Sequence, residues 1–333
     1  MCYRCSSDKN GSCWTDWSEW SSCSASCGNG VQVRQRACNG KNCPAKSSAA
    51  TELEQRTCYL KSCECMENSY LRKFGINCFC EEFSKFKYDR ANKLICEFSE
   101  DNPFPSETDF ENFVSWPLAT EAVFYLNNKF NNGSSIAAFT RNNKNIKILT
   151  LEGFGIRKVH RYAFANLSPD IDTFVLKNTR INHIGNQLFG KSNANLEIFV
   201  LENTNARYIA RTHFEALHNL KRLDIVKNMN INEINEKLFK WDKSKLEHVN
   251  LVGMSIEKIC YPVFKGLLDN HKNLRIVSFA DLTFTTSNVE LSTKLTELVA
   301  DNYCRYAENC PHEKFQDFDV LRKRVEMLKN ITC

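Results

Sequence analysis

Residues 146–159 read IKILTLEGFGIRKV, residues 171–184 read IDTFVLKNTRINHI, and residues 196–209 read LEIFVLENTNARYI. Apolar side chains recur at the first, fourth and sixth positions of each segment. The frame continues in LKRLDIVKNMNINEI from Leu220, LEHVNLVGMSIEKI from Leu246, LRIVSFADLTF from Leu274 and LTELVADNYC from Leu295. The starts lie 21 to 28 residues apart, and TEAVFYLNNKF around Val123 is an earlier, poorer copy. Five of the segments are followed by a phenylalanine: Phe164, Phe189, Phe214, Phe239 and Phe264. A period of this size marks a solenoid, because one unit cannot bury its apolar edge alone whereas stacked units share a continuous core.

These segments resemble the extracellular leucine-rich repeat family, L-x-x-L-x-L-x-x-N-x-L. The resemblance implies a solenoid of α/β type, with a parallel concave sheet and an irregular or short-helical convex side where the phenylalanines mark the return. The intervening strand positions would then face the concave side. The third-position column is Ile148, Thr173, Ile198, Arg222, His248, Ile276 and Glu297. The fifth is Thr150, Val175, Val200, Asp224, Asn250, Ser278 and Val299. The seventh is Glu152, Lys177, Glu202, Val226, Val252, Ala280 and Asp301. Ile148, Val175, Ile198, Val200, Val226 and Val252 are expected to form one contiguous apolar patch, which on a soluble surface often marks a partner site. Arg222, Asp224, His248 and Asn250 form its polar middle, expected to be solvated. One departure from the family pattern is clear: the ninth-position asparagine occurs only at Asn228, with Phe154, Thr179, Thr204, Met254, Leu282 and Tyr303 elsewhere.

Upstream, residues 13–30 read CWTDWSEWSSCSASCGNG. Trp14, Trp17 and Trp20 are spaced by three, which suits an extended, polyproline-like strand with the indoles on one side. Arg34 and Arg36, two apart on a strand, share a face, and Arg56 precedes Cys58. Guanidinium groups slotted between indoles gain about 0.5–2 kcal/mol each. A segment this short buries too little to fold without staples. The stretch closely resembles a thrombospondin type 1 repeat, a thin three-stranded module. That resemblance implies the disulfides Cys23–Cys58, Cys27–Cys63 and Cys38–Cys43. It also implies an O-fucose acceptor at Ser26 within C-x-x-S-C-x-x-G, and C-mannosylation at Trp14 and Trp17, each of which opens a W-x-x-W.

Cysteines frame the repeats. Cys65, Cys78, Cys80 and Cys96 resemble an N-terminal leucine-rich-repeat cap, which implies Cys65–Cys80 and Cys78–Cys96. Cys304, Cys310 and Cys333 resemble a C-terminal cap lacking one cysteine, and the spacing of Phe318, Leu321, Val325 and Leu328 predicts a short helix there. Cys260, in a repeat body, is expected to be a free core thiol. The expected organisation is a remnant of a cysteine-rich segment at 1–13, the thrombospondin-like module at 14–64, an N-terminal cap at 65–100, repeats at 101–303 and a partial cap at 304–333.

Seventeen cysteines, thirteen of them before residue 97, argue for an oxidising, extracellular setting. The sequons at Asn10, Asn132, Asn166 and Asn330 agree. MCYRCSSDKN lacks an apolar leader core, so the chain is expected to be part of a secreted protein or ectodomain. No apolar run is long enough to insert in a membrane, and the interleaved charges, net +5, do not suggest nucleic acid. No metalloprotease, nucleophile-elbow or phosphate-loop motif is present, and no cofactor or metal is expected. His213 and His218 are expected at the surface of a return segment.

The sequence therefore points to a non-enzymatic extracellular adhesion or recognition protein. The thrombospondin-like module would bind matrix glycosaminoglycan or protein, and the concave repeat face a protein ligand or receptor. A non-catalytic subunit of a secreted enzyme and an innate immune pattern-recognition protein are the competing classes.

Overall fold

The computed structural model describes residues 6–7, 13–24, 29–38, 50–59, 74–82, 92–101, 105–106, 108–109, 119–127, 133–235, 237–241, 245–299, 303–305 and 316–331. The chain divides into two compact units, Met1–Glu64 and Cys65–Cys333.

In the first unit, strands Asn29–Cys38 and Ala50–Tyr59 form an antiparallel ladder from Asn29↔Tyr59 to Cys38↔Ala50. The third strand begins at Cys13–Trp14, with Trp14 opposite Cys38. Beyond it the chain pairs by an unusual rule. The N–H groups of Thr15, Ser18, Ser21 and Ser24 donate to the carbonyls of Ala37, Gln35, Val33 and Val31 at 2.8–2.9 Å. The hydroxyls of the same four residues accept the N–H groups of those same partners at 2.9–3.0 Å. Three residues therefore cover two of the neighbouring strand, about 6.7 Å. The rise is about 2.2 Å per residue, against about 3.1 Å for a polyproline helix. The expected extended strand is thus corrected to a contracted, rippled one, held by hydroxyls that alternate with the indoles.

The second unit is built on a sheet that runs, in spatial order, Ile76–Glu82, Asn92–Phe98, Ala119–Leu126, Ile148–Gly153, Thr173–Thr179, Ile198–Glu202, Arg222–Val226, His248–Val252, Ile276–Ser278, Tyr303–Cys304, Gln316–Asp317. All pairings from Asn92–Phe98 to Ile276–Ser278 are parallel. Antiparallel partners, Ile76–Glu82 and Tyr303–Cys304, flank this parallel run, and Gln316–Asp317 pairs parallel with Tyr303–Cys304 at the edge. The fourth position of the repeat frame is held by Leu149, Phe174, Phe199, Leu223 and Val249, which point into the core and are fully buried. The five return phenylalanines are buried too and interlock with the strand aromatics: Phe164–Phe174 centroids lie 4.7 Å apart, Phe189–Phe199 5.5 Å and Phe199–Phe214 5.6 Å. This aromatic column continues through Trp241 to His271, with ring centroids 5.0 Å apart.

Each strand ends in the same turn. The eighth-position residues Gly153, Asn178, Asn203, Lys227, Gly253 and Asp281 all have positive φ, from 48° to 121°. The N–H groups of Asn203, Lys227 and Gly253 donate to the carbonyls of Val226, Val252 and Ala280 in the following repeat. The turns are thereby satisfied without an asparagine ladder at position nine. Asn228 does what the family residue does: its Nδ2 donates to the Leu201 and Val226 carbonyls at 2.7 and 2.9 Å, and its Oδ1 accepts from the Thr204 N–H and hydroxyl at 2.9 and 2.6 Å.

Three expectations are corrected. The segment from Leu295 is not a seventh repeat strand: Leu295 and Glu297 lie in the helix Val289–Val299, whose Leu291, Leu295 and Leu298 are buried at helical spacing. Glu297 and Val299 therefore leave the concave columns. Cys260 is disulfide-bonded rather than a free thiol, and it stands just before the helix Tyr261–Asn270. His213 is buried at 1% exposure, whereas His218 is exposed.

At the C-terminal end the helix Phe318–Glu326 places Phe318, Leu321 and Val325 in the core, and Leu328 follows them there. Among the described residues no helix is long and apolar enough to cross a membrane.

Candidate functional site

In the first unit the indoles and guanidiniums alternate. The Arg36 guanidinium carbon lies 4.9 Å from the Trp14 ring and 4.7 Å from that of Trp17. Arg34 lies 5.0 Å from Trp17 and 4.6 Å from Trp20, and Arg56 caps Trp20 at 4.3 Å. The edges of two guanidiniums are held by registered neighbours on the next strand: Arg34 by Glu54 and Arg36 by Glu52, each at 2.6 Å. Arg56 instead bonds the neutral Gln32 at 3.0 Å. The Arg34 and Arg36 charges are thus spent inside the module, which leaves Arg56 as the ladder cation with no carboxylate partner among the described residues.

Cys23 and Cys58 are bridged with Cα atoms 6.0 Å apart, as are Cys78 and Cys96 at 4.1 Å, where the two cysteines face each other across a hairpin. Cys38 and Cys304 are disulfide-bonded. Cys2, Cys5, Cys27, Cys43, Cys63, Cys65, Cys310, Cys333, Ser26, Asn10 and Asn132, and the side chains of Cys13 and Cys80, lie outside the described residues. Asn166 and Asn330 are exposed.

On the parallel sheet the expected columns are in register. Ile148, Thr173, Ile198, Arg222, His248 and Ile276 form one row; Thr150, Val175, Val200, Asp224, Asn250 and Ser278 form the next. Val226 and Val252 pair in the seventh-position row beside Glu202. Strands place them there because alternate side chains leave opposite faces, and each neighbour on the core side is apolar. All six predicted apolar residues are half-buried.

By register they fall into two groups on neighbouring strands, with Val226 diagonal to Val200. Val175, Val200 and Ile198 cluster on two adjacent strands, and Val226 with Val252 on two others. Between the groups lies a polar knot. Arg222 donates to both Asp224 carboxylate oxygens at 3.1 and 2.8 Å, and Asn250 Nδ2 donates to Oδ1 at 2.5 Å. The Asp224 side chain keeps only 8% of its surface, while Arg222 keeps 48%. The expectation of a solvated polar middle therefore fails at Asp224, whose burial is tolerated because its oxygens are paired. His248, beside this knot, has its pKa lowered by burial and by the Arg222 charge, against the pull of Glu247 and Asp224. Glu152 extends the polar edge: it lies 3.0 Å from Lys177, accepts from Asn178, and Asn203 in turn donates to Asn178.

Two features lie outside the sequence expectations. The hydroxyl column Thr15, Ser18, Ser21 and Ser24 is visible in the sequence as a residue after each indole and after Cys23. The eighth-position column of Gly, Asn, Asn, Lys, Gly and Asp consists mostly of residues that tolerate the left-handed region.

Residues 15–63 match the thrombospondin type 1 domain, and residues 134–271 match six copies of the BspA type leucine-rich repeat region. The first segment is 43% identical over 49 residues to thrombospondin-1 of Xenopus laevis, covering 14% of this chain and 4% of that protein. It is 56% identical over 32 residues to semaphorin-5B of Mus musculus, covering 9% of this chain and 3% of that one. The chain thus matches only a few per cent of the length of these curated relatives. The solved structure of human 5T4, trophoblast glycoprotein, aligns with a TM-score of 0.34 at 14% identity, over 58% of this chain and 78% of that chain. The chain joins a thrombospondin type 1 domain to a leucine-rich repeat solenoid. Together with the disulfides, the two domains indicate an extracellular protein-interaction or recognition role.

Proposed function

We propose that this chain is an extracellular recognition protein that binds a protein ligand on the concave sheet between Ile148 and Val252. The observation that carries the proposal is the pairing of two half-buried apolar groups, Val175/Ile198/Val200 and Val226/Val252, with a fixed Arg222–Asp224–Asn250 network between them. Interfaces draw binding energy from desolvated apolar anchors, and orientation from a few prearranged polar groups. Arg222 suits the second role: Asp224 holds its guanidinium in place, yet nearly half of its side chain remains open.

The thrombospondin type 1 domain acts in this proposal as a stiff docking module for matrix protein, with Arg34 and Arg36 serving its own stability. Asn166 and Asn330 carry N-glycans, Ser26 carries O-fucose, and Trp14 and Trp17 carry C-mannose; the exposure of Asn166 and Asn330 supports the first pair. The bridges Cys27–Cys63, Cys38–Cys43 and Cys65–Cys80 complete the disulfide framework. No catalytic role is assigned.

The test is binding of the chain, secreted from animal cells, to intact cell surfaces. Mild protease treatment of the cells should abolish binding, and heparan sulfate digestion should leave most of it. Binding that survives proteolysis would sink the proposal.

A further inference from the structure

A cleft of about 590 Å³ opens on the return side of the repeats, away from the parallel sheet, lined by Arg211, Lys240, Tyr261, Lys265, Asp269 and Asn270 among others. Its walls come from three successive repeats. The helix Tyr261–Asn270 offers Tyr261, Lys265 and Asp269 at a spacing of four, hence on one face. Arg211 comes from the short helical turn Arg211–His213, and Lys240 from the residue after the buried Phe239.

The charges there do not balance. Asp269 is already held by Lys265 at 2.7 Å and approached by Arg322 at 3.8 Å. Glu215 lies 3.2 Å from Arg211. Glu326, which accepts from the Tyr261 hydroxyl at 2.9 Å, lies 4.0 Å from Lys329. Every nearby carboxylate therefore has its cation, and Lys240 is left over with no carboxylate among the described residues. The Arg211 Nε is buried and lacks an aligned acceptor, because Glu215 meets it off axis. Asn270 spends one N–H on the Phe239 carbonyl at 3.0 Å, which leaves its amide oxygen and a second N–H. A concave wall with a surplus cation concentrates the potential felt by an anion.

We infer that this cleft binds a sulfated saccharide, with Lys240 and Arg211 on sulfate groups and the Tyr261 ring and Asn270 amide on the sugar face. The volume is within the range of about 300–1,000 Å³ found for small-ligand sites and suits a few sugar rings rather than a lone ion. The first unit is the less suitable seat for such an anion, because Glu54 and Glu52 already neutralise Arg34 and Arg36. The inference rests on the extracellular setting of the proposed function, but not on the concave face.

The experiment uses the full chain and a fluorescent, sulfated heparin tetrasaccharide, with its unsulfated counterpart as control. The sulfated probe should bind, more weakly as salt is raised, and the unsulfated one should not. Lys240→Glu should weaken binding by about tenfold, the equivalent of one lost charge contact, with an unchanged melting temperature because Lys240 is exposed and has no ion pair among the described residues. Lys240→Ala should weaken it less, and Val200→Lys with Val226→Lys should leave it intact. Equal binding by wild type and Lys240→Glu, or a loss that follows Arg56→Gln instead, would overturn the inference. Binding of both sugars alike would do the same. Loss of cell binding in the concave double variant with saccharide binding retained separates this site from the concave one.

Discussion

Arg34 is anchored to Glu54: its Nε donates to the Glu54 Oε2 at 2.6 Å, and the two residues are registered partners on adjacent strands. The same guanidinium is the spacer between Trp17 and Trp20. One side chain thus links the contracted tryptophan strand to the far strand of a module with almost no apolar core.

Arg34→Lys tests that link. Lysine keeps the charge but loses the planar stack and the fork. The first unit should lose about 1–2 kcal/mol, a value already discounted for the partial exposure of the pair. Guanidinium unfolding of the full chain, followed by the fluorescence of the three stacked indoles, should show an earlier transition. An unshifted transition would remove the ladder as a source of stability.

The end-of-strand turns make a prediction of opposite sign at two positions. Lys227 sits at φ 55°, where a side chain costs about 1–2 kcal/mol. Lys227→Gly should raise the melting temperature by about 2 °C, since glycine recovers part of that cost and gives some back as chain entropy. Gly153 has φ 121°, and a Cβ there would meet the Leu126 carbonyl oxygen at 2.6 Å. Gly153→Ala should therefore lower it by several degrees, about 2 kcal/mol or more. Differential scanning calorimetry on the two variants measures both.

Asn228 is a buried asparagine that ties two repeats together at their turn. Asn228→Ala leaves the Leu201 carbonyl and the Thr204 hydroxyl without their partner, at a cost of about 2–4 kcal/mol. Urea denaturation should show the loss without a change in slope. A change under about 1 kcal/mol would mean that water replaces the amide.

The buried histidines set a pH dependence. Burial lowers the pKa of both His213 and His271 to about 4, and for His271 a bond to the Phe239 carbonyl opposes the shift. The unfolded chain binds protons on these groups from pH about 6.5 downward, whereas the folded chain keeps them neutral to about 4. Their contribution is therefore fully present above pH about 6.5 and is lost as pH falls toward 4. At pH 5 the loss should be about 2 kcal/mol for each histidine. Melting temperatures should fall between pH 7.5 and 5, and His271→Phe should flatten the fall. An equally steep fall in that variant would place the pH dependence elsewhere.

The repeats are legible because solenoid cores impose one apolar pattern at a fixed period. The columns Ile198/Arg222/His248 and Val200/Asp224/Asn250 can be placed on one face from that pattern alone. The last copy misleads for a physical reason. LTELVADNYC satisfies the strand frame at Leu295, Leu298 and Ala300, and Leu291, Leu295 and Leu298 equally satisfy a helical one; the tie is broken by the apolar spacing upstream of Leu295. His213 escapes a sequence reading because return segments alternate buried and exposed residues without a simple period, and its ring packs edge-on to Phe214. The apolar face looks continuous in one dimension. In two dimensions, the registered partner of Val200 is the polar Asp224, and Val226 lies diagonally beyond it on the same strand as Asp224.

The central claim concerns that face. Aspartates at Val200 and Val226 would crowd the carboxylates of Asp224 and Glu202, whereas lysines would meet them favourably and still remove the apolar anchors. The deciding measurement is equilibrium binding of the secreted chain to heparan sulfate-digested cells, with wild type compared with Val200→Lys/Val226→Lys at matched thermal stability. The account predicts that wild type binds saturably and that the double variant binds about a hundredfold more weakly, as expected when central anchors are lost. Equal binding by the two proteins would contradict it and move recognition off the concave sheet.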